Sequence, residues 1–152
     1  MKTTDELTTV LRKSRPSDID SFLEKNREKL LGANASFGGF LKAVTEKNDL
    51  KLQDVFIAAD IPERYGYKLV EGEKHTRNRD AILRLCAGAR MVLEETQKAL
   101  VLNGMDPLYP RRPRDAVLMI GFNTGVKDAS DLNELLSSHG MEQLSLIGGE
   151  DR

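Results

Sequence analysis

Apolar residues recur at spacings of three and four along most of this chain, and strict alternation of apolar and polar residues is hard to find. The first spacing places apolar side chains on one face of an α-helix, whereas alternation is typical of a half-buried strand. Aromatic residues make up only 5% of the chain. The pattern therefore predicts an all-α fold.

Length and charge exclude several classes of protein. The 152 residues suffice for about one domain with one core. With 23 basic and 24 acidic residues the formal net charge is -1, so any basic surface must be local. The longest nearly uncharged apolar run, 116–126, is about half of the roughly 20 residues that a membrane-spanning helix needs. Together with a polar start, MKTTDE, and a single cysteine, these features predict a cytoplasmic protein without membrane association.

Prolines, glycines and capping residues interrupt the helical pattern, and these interruptions divide the chain into four predicted parts. The predicted parts are an N-terminal helical pair at 1–35, a central unit at 36–104, a C-terminal helical pair at 105–147 and a tail at 148–152. Helix starts are expected at Ser36, Pro113 and Asp128. In the central unit, Asp60 is expected to cap a helix that has Pro62 in its first turn and Glu63 completing an Asp-x-x-Glu box. Gly72 would end that helix, so two helices are predicted to meet across a tight corner.

The segment 52–72 has the spacing of a DNA-reading helix-turn-helix, in which one helix braces against the backbone and the second reaches base edges in the major groove. The second helix would expose residue types that hydrogen-bond bases or phosphates, namely Glu63, Arg64, Tyr67 and Lys68. From 64 to 79 basic residues outnumber acidic ones by five to two, whereas from 105 to 152 acidic residues outnumber basic ones by eight to five. DNA is therefore expected to meet the middle of the chain.

Three consecutive stretches of the central unit carry a family resemblance: SFGGFLKAV, then LQDVFIAADIPERYGYKLVEGEK, then NRDAILRLCAGARMVLEETQKAL. In this order they resemble the XRE-type, lambda-repressor-like helix-turn-helix family. The flanks are similar to a group of bacterial regulators of this type, in which YxY, a later RD pair and an LYP…RDA…NELL stretch recur. Here the last of these is Tyr109-Pro110, Arg114-Asp115-Ala116 and Asn133-Glu134-Leu135-Leu136.

The resemblance implies a lambda-repressor-like helix-turn-helix bundle of five helices, with extra N-terminal and C-terminal helices. It also implies a transcription regulator that reads double-stranded DNA as a homodimer, with a recognition helix at about 62–70. The residues expected to contact DNA, from the resemblance and from the local basic charge, are Gln53, Glu63, Arg64, Tyr65, Tyr67, Lys68, Lys74, His75, Arg77 and Arg79.

The recognition helix departs from the family pattern at its centre. Phe56 stands where the family prefers a small residue, and Gly66 stands where a buried aliphatic residue normally fastens the recognition helix to the core. One hypothesis is a reciprocal exchange in which Phe56 fills the space that Gly66 leaves. Tyr65 and Tyr67 flank Gly66 and so point in different directions, and Tyr67 is expected to be the exposed one.

A second interpretation is a protein–protein interaction or signalling adaptor that keeps the repressor-like fold without binding DNA. The proline-spaced basic stretch PLYPRRPRD could lie along phosphates, dock in an aromatic-lined groove of a partner, or simply connect two helices. The apolar run AVLMI at 116–120 is expected to be buried by the terminal helices, or else shared with a second subunit or a protein partner docked on the C-terminal helices.

Residue order shows no motif for catalysis or metal binding. The two histidines lie 64 positions apart and Cys86 falls on an apolar helix face, so no ligand spacing is present. Neither a serine elbow flanked by glycines nor a phosphate-binding glycine loop occurs. The sequence therefore predicts a protein that is not an enzyme and uses no metal and no cofactor.

Overall fold

A computed structural model describes residues 36–147, so the helical pair predicted at 1–35 and the tail predicted at 148–152 lie outside the described residues. From 36 to 147 the chain is all-helical and contains no strand, which confirms the predicted all-α class. The helices are α1 (Phe37–Lys47), α2 (Leu52–Ala59), α3 (Glu63–Glu71), α4 (Arg79–Gly88), α5 (Leu93–Leu102), α6 (Pro113–Thr124) and α7 (Ala129–Ser138). Within that range no helix has the length and apolar character needed to cross a membrane.

Local signals in the sequence set several helix starts. The Ser36 hydroxyl accepts a hydrogen bond from the Gly39 N–H at 3.0 Å, and an Asp128 carboxylate oxygen accepts one from the Asp131 N–H at 2.8 Å. Such side-chain caps satisfy N–H groups that have no partner within the helix. Pro113 occupies the first turn of α6, where a missing N–H costs nothing. The predicted starts of these three helices are confirmed.

The predicted cap at Asp60 is wrong. Asp60 ends α2 instead of starting α3, because its backbone adopts the left-handed conformation (φ 55°) and its N–H bonds back to the Ile57 carbonyl at 3.0 Å. Aspartate tolerates this conformation better than most residues. Pro62 precedes α3 and gives it no side-chain cap, so the expected Asp60–Glu63 box does not form.

Helix α4 forms the centre of the fold. Every residue from 81 to 89 is buried, and the helix packs against α2, α5 and α7. Its approach to α2 depends on Gly88, because a Cβ there would lie 2.4 Å from the Val55 carbonyl oxygen. Cys86 is fully buried, and this burial raises the pKa of its thiol far above the ordinary value.

Two Arg-Asp dipeptides, Arg79-Asp80 at the start of α4 and Arg114-Asp115 at the start of α6, form two ion pairs in which the arginine of each binds the aspartate of the other. The Arg79 guanidinium donates to Asp115 at 3.0 Å, and the Arg114 guanidinium donates to both Asp80 oxygens at 3.2 and 3.1 Å. Burial is the largest single influence and raises the pKa of each carboxyl group. The arginine hydrogen bonds and charges, together with hydrogen bonds from Ser145 to Asp80 and from the Tyr109 N–H to Asp115, outweigh it in sum and lower both pKa values. The crossed pairs therefore fasten the C-terminal helices to the helix that follows the two-helix corner.

Buried Arg84 connects the end of α2 to the chain that follows α7. It donates to the Ala59 carbonyl at 3.2 Å, to the Leu144 carbonyl at 3.2 Å and to the Ser145 carbonyl at 2.8 Å. The Leu144 N–H in turn donates to the Asn133 side chain at 2.8 Å. Backbone carbonyls thus satisfy the hydrogen-bonding groups of a buried cation. The same hydrogen bonds fix the end of α2, where the corner between α2 and α3 begins.

Candidate nucleic-acid interface

Helix α3 divides into a buried face and an outward face. The side chains of Tyr65, Leu69 and Val70 are buried, whereas those of Glu63 and Arg64 are exposed. Tyr67 also lies on the outward face and Lys68 is partly exposed. The outward face of α3, defined by Glu63, Arg64, Tyr67 and Lys68, is therefore left open by every described element.

The two tyrosines of α3 have opposite environments. Tyr65 is 1% exposed and Tyr67 is 36% exposed, which confirms the expectation for Tyr67. The prediction that Tyr65 contacts DNA is wrong, because its ring lies in the core with the Lys74 ammonium 5.1 Å from the ring centroid. The reason is geometric: residues two apart on a helix are separated by about 200° around its axis, so only one of the pair faces outward.

The departures at Phe56 and Gly66 compensate for each other. A Cβ on Gly66 would lie 2.6 Å from two ring carbons of Phe56, so the ring occupies the space that a larger residue at 66 would need. The same ring meets Tyr67 edge-on, with centroids 4.9 Å apart and planes at 79°. Such aromatic pairs contribute about 0.5–1.5 kcal/mol beyond burial. The hypothesis of a reciprocal exchange agrees with this geometry. The Phe56 ring also packs against the ring of exposed Tyr67.

Helix α2 presents a less basic surface beside α3. Gln53, its second residue, is exposed as a phosphate or base contact requires. Asp54 and Asp60 are exposed on the same helix or at its end, and Ile57 is 71% exposed between them. The exposed side chains of α2 itself are neutral or acidic, and the neighbouring cations are Lys51, which precedes α2, and those of α3 and of the loop that follows it.

The loop 72–78 adds cations beside the end of α3 and is firmly anchored. The Lys74 N–H donates to the Lys68 carbonyl at 3.1 Å, and the Asn103 side chain donates to the Thr76 carbonyl at 3.2 Å. Thr76 is buried, whereas His75 and Arg77 are exposed on either side of it. The loop thus holds Lys74, His75 and Arg77 in a fixed segment that directly follows α3.

Arg79 does not belong to this set. Its guanidinium is engaged by Asp115 and its side chain is only 26% exposed. The hydrogen bond with Asp115 is the main cause of a raised Arg79 pKa. Arg79 thus forms a structural ion pair, which competes with the DNA contact predicted for it. The repeated RD dipeptide was the signal in the sequence that could have indicated this ion pair.

Between 36 and 147 no group of three or more His, Cys, Asp or Glu side chains is placed to hold a metal ion. Comparison of the chain with protein-family models, with curated proteins and with solved structures gives no match. The arrangement in hand is an open helix face that carries Glu63, Arg64, Tyr67 and Lys68 and is followed by a loop with further basic residues.

Proposed function

We propose that the protein is a sequence-specific DNA-binding transcription regulator of the XRE type, with a lambda-repressor-like helix-turn-helix formed by α2 and α3. The observation that carries this proposal is the outward face of α3. It presents Arg64, Tyr67 and Lys68 from a helix whose opposite face is fastened in the core.

Each exposed residue type has a role that the DNA surface can use. Arg64 can donate two hydrogen bonds to the major-groove edge of guanine, and Glu63 can accept one from cytosine. Lys68, Lys74 and Arg77 would neutralise phosphates, and His75 and Gln53 would donate hydrogen bonds to the backbone. In this arrangement the bases set sequence preference and the phosphates set affinity and salt dependence.

A regulator of this kind would act as a homodimer, because one recognition helix contacts too few base pairs to select a genomic site. The run 116–120 offers one surface for a second copy or a protein partner. Val117 and Leu118 are buried within the chain, but Ile120 is 53% exposed. Light scattering should give the mass of two chains at micromolar concentration. The mass of one chain would contradict the homodimer.

Binding to DNA from upstream of the protein's own gene tests the proposal, since regulators of this type often act on their own promoters. Arg64→Ala is expected to weaken binding by about 1–3 kcal/mol and to relax sequence preference, whereas Lys68→Ala should weaken binding to all sequences alike. Lys42→Ala and Lys127→Ala, which remove exposed cations from α1 and from the approach to α7, are the matched controls. Equal effects of all four variants would contradict a role for α3.

The adaptor interpretation is the second candidate, and one observation favours it. Ile57 is 71% exposed between the acidic Asp54 and Asp60, a surface that suits a protein partner better than phosphates. Under this interpretation the wild-type protein does not bind duplex DNA even at low salt. That result would refute the regulator proposal.

A further inference from the structure

The segment 105–112 between α5 and α6 is held in place although it has no regular secondary structure. The Gln97 side chain donates to the Leu108 carbonyl at 3.0 Å and accepts from the Leu108 N–H at 2.7 Å. Leu108 itself is buried. The Tyr109 N–H donates to Asp115 at 2.9 Å, and the Arg112 N–H donates to the Tyr109 carbonyl at 3.0 Å. The segment is thus fixed both to α5 and to α6.

This anchoring leaves two neighbouring arginines exposed. Arg111 and Arg112 are exposed, and neither forms an ion pair with another residue in the described range. Arg112 is near enough to Asp115 to lower the pKa of that carboxyl, but after burial the main influence on Asp115 is its hydrogen bond from Arg79. The carboxylate on which Arg112 acts is therefore already paired with Arg79.

The same aspartate places this segment beside the basic loop 72–78. One Asp115 oxygen accepts both from Arg79, at the start of α4, and from the Tyr109 N–H. Arg79 follows exposed Arg77 by two residues, so the two exposed segments meet around one buried carboxylate. Asp106 is an exposed acid in this region, and it also acts on Arg79. The exposed cations of the two segments are Arg77, Arg111 and Arg112.

We propose that the segment 105–112 is a second DNA-backbone contact, in which Arg111 and Arg112 bind phosphates that flank the bases read by α3. This inference rests on the proposed function and extends it to a part of the chain outside the two-helix corner. A duplex suits this surface because its phosphates recur along a rigid backbone, and an anchored segment loses little conformational freedom on binding.

The test compares four proteins on one labelled duplex of mixed sequence, three helical turns long. They are the wild type, Arg111→Ala/Arg112→Ala, Arg111→Lys/Arg112→Lys, and the matched control Lys42→Ala/Lys127→Ala. Fluorescence anisotropy gives Kd between about 50 and 200 mM salt, and circular dichroism verifies the helical content of each protein.

The alanine double variant is expected to lower the slope of log affinity against log salt by about 1.8, at about 0.9 for each phosphate that is no longer neutralised. The lysine double variant keeps the charge and should keep the wild-type slope, as should the control. An unchanged slope in the alanine variant, or an equal fall in the control, would overturn this inference and leave the proposed function standing. No binding by the wild-type protein would overturn both.

Discussion

Replacing Gly66 by alanine should have opposite effects on stability depending on the residue at position 56. In the wild-type chain the new Cβ would lie 2.6 Å from the Phe56 ring, a separation that real Cβ atoms essentially never show. Overpacking of this kind costs about 1–3 kcal/mol. Alanine recovers about 1 kcal/mol of helix propensity relative to glycine. The net expectation is a loss of about 1 kcal/mol in the free energy of unfolding.

Removing the ring removes the clash. Phe56→Ala by itself should destabilise the protein by about 3–5 kcal/mol, since the side chain is fully buried. In the Phe56→Ala variant, Gly66→Ala no longer meets the ring and contributes only the higher helix propensity of alanine. It should therefore raise the free energy of unfolding by about 0.5–1 kcal/mol. The same substitution thus changes sign between the two backgrounds.

Urea unfolding followed by far-ultraviolet circular dichroism measures all members of the cycle, provided that the m-value is unchanged. Gly121→Ala is the control, because Gly121 packs against the side chains of α7 and should have the same effect in both Phe56 backgrounds. An effect of Gly66→Ala that agrees within about 0.5 kcal/mol in the two backgrounds would refute the reciprocal exchange.

Two further predictions concern the crossed ion pairs. Asp115→Ala should lower the free energy of unfolding by about 3 kcal/mol, because Arg79 and the Tyr109 N–H lose their acceptor. Asp106→Ala, at an exposed site, should change it by less than about 0.5 kcal/mol, and similar effects of the two variants in urea unfolding would contradict this role. Because the folded pKa values of Asp80 and Asp115 are lowered, their contribution should be complete above about pH 5 and lost as the pH falls below about 4. The urea midpoint measured against pH should show this decline, and Asp115→Asn should flatten it; an equally steep decline in that variant would contradict the assignment.

Much of the candidate site follows from the period of a single helix. Once α3 is recognised, the 100° step between residues assigns Arg64 and Tyr67 to one face and Tyr65 to the other. This reasoning needs no knowledge of the neighbouring helices. The period also placed Tyr65 on the side opposite exposed Tyr67, and the expectation that Tyr65 contacts DNA came from the family resemblance instead.

The role of Asp60 could not be obtained in the same way. An aspartate before a proline and a glutamate fits the start of a helix as well as it fits the left-handed end of the preceding one. The carbonyl of Ala59 next to it is bound by buried Arg84, which reaches across from α4. The corner is therefore shaped partly by a residue 24 positions further along the chain.

The sequence by itself determined the helical class, the capped starts at Ser36 and Asp128, and the outward face of α3, since all of these depend on residues within a turn or two of one another. Only the tertiary structure decided that Arg79 pairs with Asp115, and that the segment 105–112 meets the start of α4 at the same carboxylate. Such contacts depend on how separate helices pack, and the period of one helix carries no information about the partner that it meets.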